Sequence, residues 1–393
     1  MKYADEYIGR ILCVLLGKSR SQQAGFPATA GNILFIKFWG MGSIILTAPA
    51  VEAVRQKFPQ AKLHYLTFET NREVLEVLGI VDSIITIKLS NPFRFNIDTL
   101  KLIKKLRQIN FDIVYDFEFF TYYSALINRL VKPKFSTGFD NRKNKRSRLF
   151  THTVEFNNHI HTRDNFLNLV KGLYISPSEA EGLPKGMWET ERGSLHNSLV
   201  TEFLLGYQIN NSFKKHENVT SPYIVINPNA SKMAYERRLP AAYFVKLIDE
   251  LNAAGKYKLV LTGSHEEINY VSAIYQKLKS KEHVLDLAGK LNVNELFSLI
   301  AGSECLITND SGPLHIASVL NKPVIAFFGP ESPVRYGPLS PKQLVFYRAL
   351  ECSPCMSVSN SKTVNCIYNE PKCVTGFDIN EIVIKISEFI KKL

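Results

Sequence analysis

"NILFIKFWGMGSIILTAPAVEAVRQKFPQAKLHYLTF" (residues 32–68) decides the fold. Its first stretch, 32–38, is a run of apolar residues interrupted only by Asn32 at its start and Lys37 near its end, the pattern of a buried strand. Residues 45–59 carry apolar side chains at helical spacing and stop at Pro59, and "KLHYLTF" (62–68) is a second strand. Strand, helix and strand in so short a span make a βαβ unit, whose strands pair in parallel. Between the first strand and the helix lies the bend Gly40-Met41-Gly42-Ser43, where a close backbone brings amides near a polar or anionic group. A dinucleotide fingerprint requires a third glycine at 45, which is Ile45, so a hydride-transferring dehydrogenase is a poor reading.

The rhythm continues outward from this unit. Helical spacing predicts helices over 71–79 and 97–110, with strands over 83–88 and 112–118. In the second half strands are predicted over 223–229, 257–264, 284–290, 304–310 and 323–329. Helices alternate with them over 241–255, 266–279, 292–303 and 312–321. The expected class is α/β, with two Rossmann-like domains of parallel sheet. Their expected order is an amphipathic N-terminal extension (1–30), a first domain (31–210), a polar linker (211–222), a second domain (223–377) and a closing amphipathic helix (378–393) capped by Asp378.

With 393 residues, 45% of them hydrophobic, and a mean hydropathy of −0.06, the chain reads as a soluble globular protein of two domains. No apolar run is long enough to span a bilayer. The net charge of +12 implies an anionic partner. Part of it is concentrated in "KPKFSTGFDNRKNKRSRLF" (132–150), read as a solvated loop or as a site for anionic lipid or a phosphorylated glycan. No nucleic-acid-binding signature accompanies it, so nucleic acid is not an expected partner. Cys352, Cys355, Cys366 and Cys373 form an uneven cluster. It is a zinc candidate with one tight C-x2-C pair, and reduced structural thiols are the competing reading.

Ligands of parallel sheets bind beyond the carboxyl ends of the strands. After 304–310 come Asp310, Ser311, Gly312, Pro313 and His315. Asp310 and Ser311 are candidate helix caps, the helix N-terminus is a candidate anion site, and His315 lies within reach of the same anion or faces solvent. After 223–229 come Asn229, Ser231 and the pair Arg237-Arg238, suited to clamp phosphate or to pair with Glu236 and Asp249. After 257–264 come Gly263, Glu266 and Glu267, where a carboxylate can hold ribose hydroxyls or a helix first turn. Asp116 and Glu118 end the 112–118 strand, as general-base candidates or as carboxylates satisfying loop amides.

"NDSGPLHIASVLNKPVIAFFGPESPVRYGP", "VINPNAS…ERRLP", "LTGSHEE" and the opening stretch resemble, in order, four signatures of the family 9 glycosyltransferases, the ADP-heptose:lipopolysaccharide heptosyltransferases and their relatives. The resemblance covers roughly residues 32–390. It implies a glycosyltransferase B-type fold, its two domains facing across a cleft and its last helix crossing back to the N-terminal domain. It also implies transfer of a sugar, with inversion, from a nucleotide diphosphate donor, an ADP-sugar favoured, to a glycolipid hydroxyl, with no cofactor or metal required. Asp310, Ser311, Gly312, His315 and Arg237 or Arg238 would then meet the diphosphate, Glu266 or Glu267 the ribose, and the 40–43 bend the acceptor. The family has an aspartate where this chain has Ser43, and a hydroxyl is too weak a base to replace it. Relocation of that role to Glu118 or Asp116 is the expectation. A catalytically silent nucleotide-sugar-binding partner and a nucleotide-sugar epimerase are the alternatives. The expected location is cytoplasmic, with the basic stretch and the N-terminal segment resting on anionic membrane.

Overall fold

The computed structural model describes residues 5–17, 26–140, 145–171, 219, 222–230, 234–357, 363–368 and 370–393. The chain divides into two units, Met1–Arg192 and Gly193–Leu393. The boundary expected at 210, and most of the 211–222 linker, lie outside the described residues.

The first unit is built on β1 (Asn32–Ile36), β2 (Lys62–Phe68), β3 (Ser83–Ile87), β4 (Ile113–Asp116), β5 (Phe135–Asp140) and β6 (His152–Glu155). All pairings are parallel, in the order β3-β2-β1-β4-β5-β6. The described helices are α1 (Arg10–Leu16), α2 (Met41–Lys57), α3 (Arg72–Leu78), α4 (Pro92–Ile109), α5 (Tyr122–Val131) and α6 (Thr162–Lys171). The central strands β1 and β4 are buried along nearly their whole length because helices cover both faces of the sheet. Helix α2 begins at Met41, ahead of the periodic run, because Gly40 (φ +84°) turns the chain sharply out of the strand.

The second unit repeats the plan with β7 (Tyr223–Asn227), β8 (Lys258–Leu261), β9 (Val284–Asp286), β10 (Cys305–Asn309), β11 (Val324–Phe328) and β12 (Gln343–Tyr347). Their order is β12-β11-β10-β7-β8-β9. The helices are α7 (Ala241–Ala253), α8 (Ile268–Gln276), α9 (Val293–Gly302), α10 (Gly312–Val319), α11 (Pro333–Tyr336), α12 (Lys372–Thr375) and α13 (Ile379–Lys391). In each sheet the strand order reverses once, between β1 and β4 and between β7 and β10, and ligands of doubly wound sheets bind at that reversal.

One expectation changes. The basic 132–150 stretch is not a solvated loop: Phe135–Asp140 is strand β5, and Arg146, in a short 3-10 turn, is fully buried. Arg142 and Lys143 lie outside the described residues. The final helix, capped by the Asp378 carboxylate on the Asn380 N–H, turns Ile382, Ile386 and Ile390 into the core of its own unit. There they join Leu247, Leu251 and Phe346.

Candidate active site

In the first unit the bend after β1 is fixed by charge. The Glu118 carboxylate accepts the Phe38 N–H at 2.7 Å and the Trp39 N–H at 2.9 Å with one oxygen. Its other oxygen pairs with the Lys37 ammonium at 3.0 Å, and both side chains are excluded from solvent. Asp116 accepts the Glu118 N–H at 2.9 Å and pairs with the Arg146 guanidinium at 2.8 Å. Arg146 also donates to the carbonyls of Thr121 and Phe139. Burial pushes the Asp116 pKa up to about 6, against the lowering pull of Arg146. On the other side of the bend, the Asn71 amide donates to the Phe38 carbonyl at 2.8 Å. The expectation that Asp116 or Glu118 takes a proton from substrate is therefore corrected: each carboxylate is closed off from solvent with its oxygens committed to the fold. Both position the Gly40-Met41-Gly42-Ser43 bend. Ser43 is the third residue of α2 and half-exposed.

In the second unit the loops after β7, β8 and β10 are stitched together. Arg237 donates to both the carbonyl (3.0 Å) and the carboxylate (3.1 Å) of Asp310. Arg238 lies between the rings of Tyr235 and Tyr270, 4.4 and 4.2 Å from their centroids, and 3.7 Å from Glu267. The arginines thus pair across loops, not with the expected Glu236 and Asp249. Glu267 reaches back to the N–H and hydroxyl of Ser264, each at 2.9 Å, as a capping box. Glu266 lies on the exposed side of the same turn. The Asn229 amide donates to the Thr262 carbonyl at 2.9 Å. A Cβ at Gly263 would stand 2.9 Å from that amide nitrogen, so glycine is what lets the two strand ends approach. Ser231 lies outside the described residues.

Helix α10 starts at Gly312 with no side-chain cap. The Ser311 hydroxyl turns instead to Thr308 at 2.8 Å, and Asp310 to Arg237, so neither fills the expected capping role. The positive end of α10 is thereby aimed at the junction of the three loops. His315 is buried against Tyr336, not solvent-facing. Three residues escaped sequence reasoning. Asn309 accepts the Leu239 N–H and donates to the Pro228 carbonyl, tying the β7 and β10 loops. Glu331 and Arg335 form a buried pair at 2.6 Å just beyond β11. Asn309 was visible as the polar end of an apolar strand; the Glu331–Arg335 pair had only its i,i+4 spacing as a signal.

The four cysteines of the zinc candidate lie in one region of the second unit, where Cys355, Cys352 and Cys366 each raise the pKa of the Cys373 thiol electrostatically. None of the four is in a disulfide; Cys373 is buried beside Gly329, and Cys366 is exposed. Among the described residues no three His, Cys, Asp or Glu side chains gather as a metal site. Burial, with the neighbouring Cys355, Cys352 and Cys366, pushes the Cys373 thiol up to about 11.

Two doubly wound parallel sheets define the glycosyltransferase B-type fold, and with the basic strand-end site they mark an enzyme of sugar transfer. The sequence model of glycosyltransferase family 9 (heptosyltransferase) matches residues 99–364, and the chain belongs to that family. Lipooligosaccharide heptosyltransferase 2 of Haemophilus influenzae is 37% identical over 141 residues, 34% of this chain and 40% of that protein. Lipopolysaccharide heptosyltransferase 3 of Escherichia coli is 26% identical over 327 residues, 78% of this chain and 86% of that protein. The solved ADP-heptose lipopolysaccharide heptosyltransferase II of E. coli superposes with a TM-score of 0.66 at 18% identity, covering 92% of this chain and 99% of that one. Among the described residues no helix is long and apolar enough to cross a membrane.

Proposed function

We propose that this glycosyltransferase moves a heptose or related sugar, with inversion, from an ADP-sugar to a hydroxyl of a lipopolysaccharide-core acceptor. The reading is carried by the junction of the β7, β8 and β10 loops, where Arg237, the open end of α10 and Glu266 lie in one unit. Within it, the bond from the anomeric carbon to the diphosphate oxygen breaks and its electrons stay with the departing diphosphate. Arg237 and the α10 amides meet that growing charge without metal, as preorganised donors do in a dry site. Glu266 is the residue for the ribose hydroxyls. The acceptor oxygen attacks the opposite face of the sugar and its proton passes to solvent water, with the 40–43 bend holding the acceptor. The relatives named above, whose names state heptosyl transfer, support the choice of sugar and acceptor.

The test is incubation with a panel of nucleotide sugars and heptose-bearing or heptose-free lipopolysaccharide cores, reading ADP release and the mass gained by the acceptor. Release of ADP with one added sugar is expected. Donor binding without any product marks a silent binder, and isomerised donor marks an epimerase; either overturns the proposal.

A further inference from the structure

One face of the first unit carries an apolar surface that its own fold does not use. Right-handed crossovers place α4 (after β3) and α5 (after β4) on the same side of the sheet, and their buried residues share one core. Helix α1 extends that layer. It packs Cys13 against Tyr122 and Leu149, and the Asp5 carboxylate accepts the Tyr122 and Tyr123 N–H groups at 3.0 and 2.8 Å. The N-terminal segment is therefore pinned to the start of α5, and what it presents outward has a fixed place.

That outward surface is apolar on both flanking helices. On α1, Ile11 and Leu15 are 60% and 72% exposed. On α4, Phe93 and Leu100 are 78% and 68% exposed, and Ile97 lies between them on the same stripe. Positions 93, 97 and 100 follow helical spacing and point away from Phe95, Leu102 and Leu106, which face the sheet. A helix with an apolar stripe on its core face and a second on its solvent face has an occupant for the second. The charge says which. Helix α4 carries Arg94, Lys101, Lys104, Lys105 and Arg107 against a single acid, Asp98, and all five cations are exposed. Apolar side chains ringed by cations match the acyl boundary and the headgroups of an anionic bilayer; a second copy of a chain of charge +12 would meet like charge.

We infer that the α1–α4 face of the first unit docks on the surface of an anionic phospholipid bilayer, with Phe93, Leu100, Ile11 and Leu15 entering the interface. The cations involved are those of α4, since the 135–140 part of the basic stretch is a strand and Arg146 is buried in its pair with Asp116. The inference rests on the first unit's surface alone and holds whatever sugar the second unit binds.

The experiment is co-sedimentation of the full chain with vesicles of phosphatidylcholine alone and of phosphatidylcholine mixed with phosphatidylglycerol, with sedimentation velocity run in parallel. Binding to the mixed vesicles only, weakening as salt rises, is expected. Phe93→Ser/Leu100→Ser and Ile11→Ser/Leu15→Ser should each lower partitioning about tenfold or more, with unchanged circular dichroism. Lys101→Gln/Lys104→Gln should lower it for mixed vesicles. No binding to mixed vesicles, binding unaffected by both apolar double variants, or a dimer that these variants dissolve while vesicle binding persists would each overturn the inference.

Discussion

Replacing Arg146 by methionine tests how the acceptor-side bend is held. Arg146 and Asp116 are both excluded from solvent and 2.8 Å apart, and the guanidinium also satisfies the carbonyls of Thr121 and Phe139. Removing it leaves a buried carboxylate and two carbonyls without that donor, a loss of about 3–5 kcal/mol by the usual cost of breaking a buried pair. That is a large fraction of the ~5–15 kcal/mol that holds an ordinary domain. Urea unfolding of the full chain in a Trp188→Phe background, followed by the fluorescence of Trp39, reports on the first unit. The penalty depends on pH. Asp116 has its pKa raised from 3.8 to about 6, so the stability it lends is full below pH 3.8 and is lost as pH rises through about 6. Without Arg146 that folded-state pKa climbs further, so the variant's penalty should be largest at pH 8 and shrink at pH 5. Asp116→Asn/Arg146→Met removes both charges while the asparagine oxygen still accepts the Glu118 N–H. The double variant should therefore be more stable than Arg146→Met alone. A single-variant loss under about 1 kcal/mol at pH 8, or a double variant as unstable as the summed singles, would refute the reasoning.

Other outcomes follow from the same geometry. Glu118→Gln keeps an acceptor for the Phe38 and Trp39 amides but removes the negative charge 3.0 Å from the buried Lys37 ammonium. It should destabilise the first unit and raise KM for the acceptor while donor affinity is unchanged, read by unfolding and steady-state kinetics. Ser43→Asp places a carboxylate in the first turn of α2, where the helix dipole favours it by about 0.3–1 kcal/mol. It should raise both the melting temperature and turnover; a slower enzyme would show that the bend does not face the acceptor. Asp82 and Asp112 titrate below the ordinary 3.8. Burial pushes both up, but the Leu63 N–H and Arg55 for Asp82, and Lys134 with the Gly31 and Asn32 amides for Asp112, outweigh it. Their stabilisation is present above pH 3.8 and is lost as pH falls below it. Asp112→Asn should therefore flatten the acid limb of a thermal-melt profile.

Most of the fold was legible because it is local. The strands of the first half from β1 to β4, and β7, β8, β10 and β11, are apolar runs bounded by turns, and period alone finds them. Strand β5, "FSTGFD", was hidden by its polar residues, its neighbouring cations and Gly138, which is glycine because the Phe150 ring stands 2.5 Å from where a Cβ would be. The donor side was legible because its residues follow directly on strands. Their partners were not: Arg237 meets Asp310 and Arg238 meets Glu267 across the sheet, pairings that exist only once β7, β8 and β10 lie side by side. The same distance effect misled the reading of the carboxylates. Asp116 and Glu118 sit at a strand end as a base would, and only the folded chain brings Arg146 and Lys37 to close them off.

The central claim is that the strand ends of the second unit form a nucleotide-sugar donor site around Arg237 and the start of α10. Calorimetric titration of ADP into the full chain and into Arg237→Ala tests it most directly. The account predicts saturable binding to the wild type and at least about a tenfold loss in the variant, since a charge-assisted contact of that kind contributes ~1.5–3 kcal/mol. Equal affinity in the two proteins, or no binding to either, would contradict it.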